Sequence, residues 1–452
     1  MANVTLPSSN GRAIFLDLKG TESRRLENVQ INRWSPTYRA VEDEFVGGRE
    51  QLYTLLCNPN YSTVLRKLWT WEPLTRNEIV EKSGLAVPTV SRIVGDFVDV
   101  GLIRGVGKVG SSAGRKPTLV GLAPDRFFLI GIDIGASQVR GALVDMKANP
   151  RSVAFAPVRP GDRESVIGAV VETVRHLIDE SNVPLQRIAG VGLAVPGSVD
   201  LERKTLINAS NLQIEGWEIV ADVSDHLELP TYLENDASAA ALGEHYFGAG
   251  HAHDHLAYVS IDVGIGMGLI IGERVFRGSL GLAGELGHNA VLPDGPQCTC
   301  GGYGCLESVA GGWALVKEYE RAQGHSKNGS VRHAMTAHDV LARWRNGDAE
   351  AKSVVDTAVT YLGMSVANLV NSLGLKLVVI GGGLADTHHE FVQAIKARAM
   401  RSILPEVREH VSIKPSALAG RAVMIGAAAL VLDDIFDGYK GVAAITAASG
   451  SS

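Results

Sequence analysis

Three cysteines and one histidine, His288, Cys298, Cys300 and Cys305, fall within eighteen residues of each other in the stretch GHNAVLPDGPQCTCGGYGC. A Cys3His set is one of the closed tetrahedral combinations that Zn²⁺ favours, and Gly301, Gly302 and Gly304 let the backbone fold tightly around an ion. All four positions would be filled by protein, which leaves none for a reacting water, so the predicted Zn²⁺ is structural. The competing readings are a chance set of buried thiols or a disulfide. The density of ligands and the absence of a secretory signature weigh against both. The same segment carries Glu285 and Glu307, so a metal here would pin a loop that holds two further carboxylates.

A second kind of chemistry is suggested by glycines next to carboxylates. FFLIGIDIGASQVRGALVD and LAYVSIDVGIGMGLIIG each run as apolar strand, Asp-x-Gly, second apolar strand, with Asp133 and Asp262 in corresponding places. Each predicts a hairpin whose tight turn exposes backbone N–H groups and one carboxylate, a nest suited to a phosphate or its Mg²⁺. Gly135, Gly264 and Gly266 belong to these turns, and Gly381, Gly382 and Gly383 follow the apolar strand LKLVVI. Two related hairpins imply a two-lobed body with a cleft between them.

The elements ahead of that body have a different rhythm. In LTRNEIVEKSGLAVPTVSRIVGDFVDVGLIR, Thr75 followed three residues later by Glu78 is a capping box opening a helix with Ile79 and Val80 inward. Gly84 is the turn, and Pro88 is suited to the first position of the next helix. Val90, Ile93, Val94, Phe97 and Val98 are expected as one apolar stripe. Thr89, Ser91 and Arg92 then point outward near a helix N-terminus, where such motifs present side chains to base edges in the major groove. LIRGVGKVGSSAGRKPTLVGL reads as a wing with Lys108, Arg115 and Lys116 at its tip, placed to meet phosphates.

The bulk numbers agree with a head joined to a larger body. The 452 residues are 45% apolar, enough for several cores. Net charge is −6, yet residues 49–120 carry ten Lys and Arg against six Asp and Glu, so a basic head meets an acidic remainder. No apolar run approaches a bilayer-spanning length and the start lacks a signal-peptide pattern, which predicts a cytoplasmic protein without membrane contact. Expected boundaries are an arm over 1–48, a winged helix-turn-helix over 49–122, a two-lobed body over 125–437 and a tail over 438–452. Cys57 is expected to be an ordinary buried thiol.

Together these segments resemble the ROK family of repressors, open reading frames and sugar kinases. The resemblance covers about residues 60 to 436. It rests on TVSRIV and GRKP in the head, the DIG hairpin, PGSVD, NASNLQIEGW, ENDASAAALGE, the GELGH to GCLES metal segment, and LGMSVANLVNSLGLKLVVIGGG. It implies an actin-like, hexokinase-like α/β body of two lobes closing on a cleft, preceded by an all-α winged helix-turn-helix. The headpiece is similar to that of the family's repressors, since its plain sugar kinases begin at the DxG hairpin. By the same resemblance Asn211, Asn235, Asp236, Glu285, His288 and Glu307 match the sugar-binding positions, and Asp236 stands at the position of the general base. His288 would bind metal through one nitrogen and face a sugar hydroxyl with the other.

Phosphoryl transfer needs backbone donors and Mg²⁺ around the moving phosphate as well as a base. Where family kinases carry DxGGT, this chain has Asp133, Ile134, Gly135, Ala136 and Ser137, and Ala136 puts a Cβ where glycine admits phosphate. Asp262 adds a carboxylate that repels ATP unless a metal intervenes. The expectation is therefore a sugar-responsive transcriptional regulator, a repressor in sign, acting on double-stranded operator DNA as a homodimer or homotetramer with structural Zn²⁺. An ATP- and Mg²⁺-dependent sugar kinase with an accessory DNA module is the alternative.

Overall fold

A computed structural model describes residues 48–108, 117–200, 204–251, 253–324 and 335–438. The predicted arm, the wing residues Arg115 and Lys116, and the tail from residue 439 lie outside the described residues.

The head begins with α1 (Arg49–Leu56) and α2 (Pro59–Trp71), followed by β1 (Leu74–Thr75), α3 (Arg76–Ser83), α4 (Val87–Asp99), β2 (Ile103–Lys108) and β3 (Thr118–Leu122). The capping box at α3 is complete: the Thr75 N–H donates to Glu78 Oε2 at 2.7 Å, and the Glu78 N–H donates to Thr75 Oγ1 at 3.3 Å. Gly84 then closes the helix at φ 69°, a left-handed turn that glycine adopts without a Cβ clash. Two expectations need correction in α4. The helix opens at Val87, so Pro88 takes its second position, and Val98 is 43% exposed. At 100° per residue Val90, Ile93, Val94 and Phe97 face inward together, whereas residue 98 has swung past the edge of that stripe. The three short strands pair in the order β1-β3-β2 against these helices.

The first lobe of the body runs β4 (Phe128–Ile134), β5 (Gln138–Asp145), β6 (Pro150–Pro157), α5 (Arg163–Ser181), β7 (Ile188–Val195), β8 (Ser198–Asp200), β9 (Thr205–Ala209), β10 (Ile214–Trp217), α6 (Ile219–Leu227), β11 (Thr231–Asn235) and α7 (Asp236–Phe247). Its main sheet has the order β11-β7-β4-β5-β6, and β10-β9-β8 form a small sheet at one end. Every residue of β4 is buried, which fits a central strand, while the edge strand β6 alternates buried and exposed residues.

The second lobe holds β12 (His255–Ile261), β13 (Ile265–Ile271), β14 (Arg274–Val275), α8 (Leu306–Ala310), α9 (Gly312–Ala322), α10 (Ala337–Arg345), α11 (Ala349–Leu373), β15 (Leu377–Gly381), α12 (Gly383–Thr387), α13 (His389–Met400), α14 (Pro405–Arg408) and β16 (Ser412–Pro415). Its sheet order is β14-β13-β12-β15-β16. Each lobe thus opens on an antiparallel hairpin, β4–β5 or β12–β13, and extends through parallel strands. The final helix, α15 (Ala422–Phe436), returns to the first lobe. A Cβ at Gly192 of β7 would stand 1.8 Å from the Ala427 oxygen, so α15 lies at backbone contact on that sheet. One 18-residue window of α11 is long and apolar enough to cross a bilayer, with mean hydropathy 1.2, contrary to expectation. Half of that window is buried, and Val355, Leu362, Val366 and Val370 belong to the core of the second lobe.

Head and body share one core. Leu52, Leu65 and Leu68 of the head cluster with Tyr246, Leu432 and Phe436 of the body. Trp69 of α2 meets Phe247 and Phe436 edge-on, each at 5.6 Å between ring centroids.

Candidate functional site

The C-terminal ends of the parallel strands of the first lobe converge on Asn235 and Asp236. Parallel pairing sets Asn235 beside Val195, at the start of the Pro196–Gly197–Ser198 turn. Asn235 caps α7: its Oδ1 accepts from the Ala237 and Ser238 N–H groups at 2.9 and 3.1 Å. Its Nδ2 donates to the Gly197 oxygen at 3.0 Å and to Asp236 Oδ1 at 3.1 Å. Both side chains are therefore held in fixed directions before any ligand arrives.

Asp236 is the first residue of α7, where burial first and the nearby Asp133 second push its carboxyl up to about 7. Asp133 is the penultimate residue of β4 and is 7% exposed. Burial raises its pKa too, opposed by Arg140, which lies directly across on β5 with its Nε 3.1 Å from Asp133 Oδ2. Gly135 turns the hairpin, its N–H donating to the Gln138 oxygen at 2.9 Å. A further pair was not expected from the sequence. Glu234, 2% exposed, accepts from Arg277 Nε at 2.9 Å and from the Asn235 N–H at 3.0 Å. Arg277 heads the loop that leads to Glu285, so this pair ties the second lobe to the residues beside Asp236. Glu234 stands next to Asn235 in ENDAS, but nothing in the sequence indicates a partner 43 residues away.

The metal-type cluster is gathered. One ligand atom from each of His288, Cys298, Cys300 and Cys305 lies within 4.8 Å of every other. Cys298 Sγ stands 3.6 Å from His288 Nδ1, and Cys300 Sγ 3.7 Å from Cys305 Sγ. A disulfide would need about 2.05 Å, whereas tetrahedral ligands at about 2.3 Å from a common centre stand roughly 3.7 Å apart. The donor set and its spacing both fit zinc. The backbone N–H of Gly302 draws the Cys300 thiol pKa down, while burial pushes Cys305 up to about 12. With Nδ1 on the thiol side, His288 turns Nε2 towards Glu285, whose Oε2 is 3.8 Å away.

Other predicted residues are placed differently. Glu307 accepts from the Ile265 N–H at 2.9 Å through Oε2 and from Trp313 Nε1 at 3.4 Å through Oε1, so it braces the β12–β13 turn. A Cβ on Gly264 would come within 2.5 Å of that carboxylate, and one on Gly266 within 3.2 Å of the Ala237 Cβ. Asn211 is exposed in the connection between β9 and β10. Gly382 has φ 95°, and a Cβ on Gly383 would stand 2.8 Å from Asp262 Oδ1, so the Asp262 side chain overlies the glycine turn. Burial, Glu244 and Asp262 push the neighbouring Asp386 up to about 6. On the head, Ser91, Arg92 and Lys108 are exposed and Thr89 is half-buried. Cys57 is exposed, contrary to expectation, because it caps the C-terminus of α1 at the turn into α2.

Comparison with known proteins follows the same division. Over 384 residues the chain is 25% identical to the xylose repressor of Bacillus subtilis (strain 168), covering 85% of this chain and 97% of that repressor. In three dimensions it is similar to a ROK family transcriptional regulator described as a homologue of the E. coli MLC protein. That likeness of fold has a TM-score of 0.73 at 23% identity, over 85% of this chain and 98% of the other. A ROK family glucokinase from Streptomyces griseus, solved with glucose and AMPPNP, aligns at 29% identity and TM-score 0.60, over 68% of this chain and 99% of that one. The ROK family profile matches residues 129–434, from the β4 strand through α15. The body carrying the paired hairpins and the Cys3His cluster therefore belongs, as does this chain, to the ROK family.

Proposed function

We propose that this chain is a sugar-responsive transcriptional regulator acting in the cytoplasm. In this reading α3 and α4 engage double-stranded operator DNA, with Thr89, Ser91 and Arg92 at base edges and Lys108, Arg115 and Lys116 on phosphates. A carbohydrate lies in the cleft, met by Asn211, Asn235, Asp236, Glu285, His288 and Glu307. Carboxylates accept from its hydroxyls and amides supply both donors and acceptors. Zn²⁺ held by His288, Cys298, Cys300 and Cys305 is structural: it braces the loop and aims the free His288 nitrogen at the ligand. Likeness to the xylose repressor along almost its whole length supports the repressor sign, and paired half-sites call for a homodimer or homotetramer.

One observation carries the reading: helix α7 runs from the ligand residues to the head. It starts at Asp236 and ends at Phe247, twelve residues or about 18 Å. Tyr246 and Phe247 at its far end pack on Trp69 of α2. A sugar that binds two positions of α7 unequally therefore shifts the head between two states. Catalysis has less support. Asp236 suits a base, but Asp262 and Asp386 line the turn at Gly382 and Gly383, and Arg140 already occupies Asp133.

The test uses genomic DNA fragments selected by the protein and a panel of pentoses, hexoses and amino sugars. A sugar that raises the melting temperature should lower operator affinity of the wild type. Trp69→Ala should keep the sugar affinity within about threefold and lose the operator response. If no sugar in the panel changes wild-type operator binding, the function is wrong; if Trp69→Ala responds as wild type does, α7 is not the link.

A further inference from the structure

We propose that Arg126 is the fulcrum of the head: it pins the C-terminal end of α4 to the first lobe, so that a shift of α2 by α7 becomes a rotation of the head about that point. This role rests on the sugar-responsive reading, in which ligand binding at α7 reaches DNA as a change in the angle between paired heads.

Arg126 lies two residues ahead of β4, where head and body meet. Its Nε donates to the oxygen of Val100, the C-cap of α4, at 2.7 Å. The last carbonyls of a helix lack intrahelical donors and favour a cation, so this contact suits a guanidinium. Gly101 follows at φ 70°, and a Cβ there would stand 3.2 Å from the same Nε, so the turn out of α4 is shaped against Arg126. The base of the wing ends on this residue as well. The Ala123 N–H donates to the Leu102 oxygen at 2.9 Å, and the Arg126 N–H donates to the Ala123 oxygen at 3.0 Å.

The body side of the joint is equally fixed. Arg187 Nε donates to the Arg126 oxygen at 3.0 Å, and its Nη2 donates to the Asp125 oxygen. Arg187 ends the turn Leu185–Arg187, on which α1 rests through Arg49 Nη1, 3.4 Å from the oxygens of both Leu185 and Ile188. Burial first and the charge of Arg187 second draw the pKa of Arg126 below its usual value. Two like charges held together at a joint work against stability, a local conflict of the kind found at functional positions. From this joint β4 and β7 run through the first sheet to Asp133 and to Val195, the partner of Asn235. Within the head, α2 and α4 form one piece, since Tyr61 meets Phe97 edge-on at 5.6 Å and both lie in the shared core. That piece is attached at two points, Arg126 on the sheet and Trp69 against the end of α7. Displacing one point while the other is held rotates α4.

The test compares full-length variants on the operator selected by the wild type, on an isolated half-site, and on operators whose half-sites are moved apart by one or two base pairs. Each added base pair turns one half-site by about 34° about the duplex axis. Arg126→Met keeps most of the side-chain bulk and removes the donor. It should bind the isolated half-site as the wild type does, because the reading face of α4 is untouched, but accept the altered spacings as well as the selected one. Saturating sugar should change wild-type operator affinity at least about fivefold and that of Arg126→Met less than about twofold. Arg126→Lys, which retains the charge and a donor, should regain part of the response. Gly84→Ala controls for a loosened head: it strains an equally left-handed turn, at φ 69°, with nothing within 4 Å of the added methyl. It should keep both the spacing preference and the sugar response. The fulcrum is overturned if Arg126→Met discriminates and responds as a sugar-responsive wild type does, or if Gly84→Ala loses both properties as Arg126→Met does. A wild type indifferent to every sugar sinks the function, and the fulcrum with it.

Discussion

Asp236 is the residue at which a small change in proton concentration should be felt most. Its pKa stands near 7 because burial at the start of α7 desolvates it and Asp133 lies close by, whereas an exposed aspartate titrates near 4. The native state then holds this proton more tightly than the unfolded chain. Its contribution to stability is full below the unfolded pKa and is lost as pH rises through about 7. Ligand affinity moves the other way, because the ionised carboxylate is the better acceptor for a sugar hydroxyl. Between pH 6 and pH 8 the sugar association constant should rise by about tenfold, as the ionised fraction does. Calorimetric titration across that range would show it, and Asp236→Asn should be weak and pH-independent. A wild-type profile flat from pH 6 to pH 8 would place the ligand away from this carboxylate. Cys300 makes a second residue-scale case. Cys300→Ser removes one of four ligands, and in cobalt-loaded protein the thiolate-to-metal absorption should disappear. Sugar affinity should fall at least about tenfold, since each 1.4 kcal/mol of lost ligand positioning is worth that factor, and Glu285 and His288 share the metal loop. Unchanged sugar affinity in the metal-free variant would separate the metal from the ligand pocket.

Among the elements, α7 has the least freedom to move without consequence. A Cβ at Gly268 of β13 would stand 2.3 Å from the Ala237 oxygen, so the first turn of α7 rests on that strand at backbone distance. Gly268→Ala should therefore push the helix start aside. Overpacking of this kind costs about 1–3 kcal/mol, and because Asp236 and Asn235 sit at that turn, sugar binding should weaken more than head folding does. Urea unfolding followed by sugar titration of the same variant separates the two; equal loss in both would mean that the strand contact supports the fold alone. The sequence made much of this scale legible. Thr75 and Glu78 at capping-box spacing, Gly84 after the helix, and the Asp-x-Gly hairpins are local signals, and local hydrogen bonds satisfy them. What stayed hidden depends on distant pairing. The turn-bracing role of Glu307, the Glu234–Arg277 pair and the cover of Asp262 over Gly383 all join segments far apart in the chain. Val98 was misplaced for another reason: an apolar side chain at the edge of a helical stripe looks the same in sequence whether or not a neighbour covers it. The cysteine cluster was legible because its ligands are close in sequence and few other arrangements explain them.

At the scale of the whole molecule, charge and docking act together on DNA. The chain carries −6 overall, yet its head has ten Lys and Arg against six Asp and Glu over residues 49–120, so the body repels a polyanion that the head attracts. That arrangement favours approach through the head alone. The head is also welded to the body through Trp69, Tyr246 and Phe436, so its orientation is set by α7 and α15 rather than by a free linker. Two exposed residues separate reading from attraction. Arg92 lies on the outer face of α4 and Lys108 at the end of β2, beside the wing. Arg92→Ala should cost about 1–3 kcal/mol on the preferred operator and relax discrimination at one base position, leaving the salt slope nearly unchanged. Lys108→Ala should weaken binding to all duplexes alike and reduce the slope of log K against log salt by about one. Binding isotherms on operator and scrambled DNA at several salt concentrations measure both effects. If the two substitutions give the same pattern, α4 is not the recognition helix, and the face that the head presents to DNA must be reassigned.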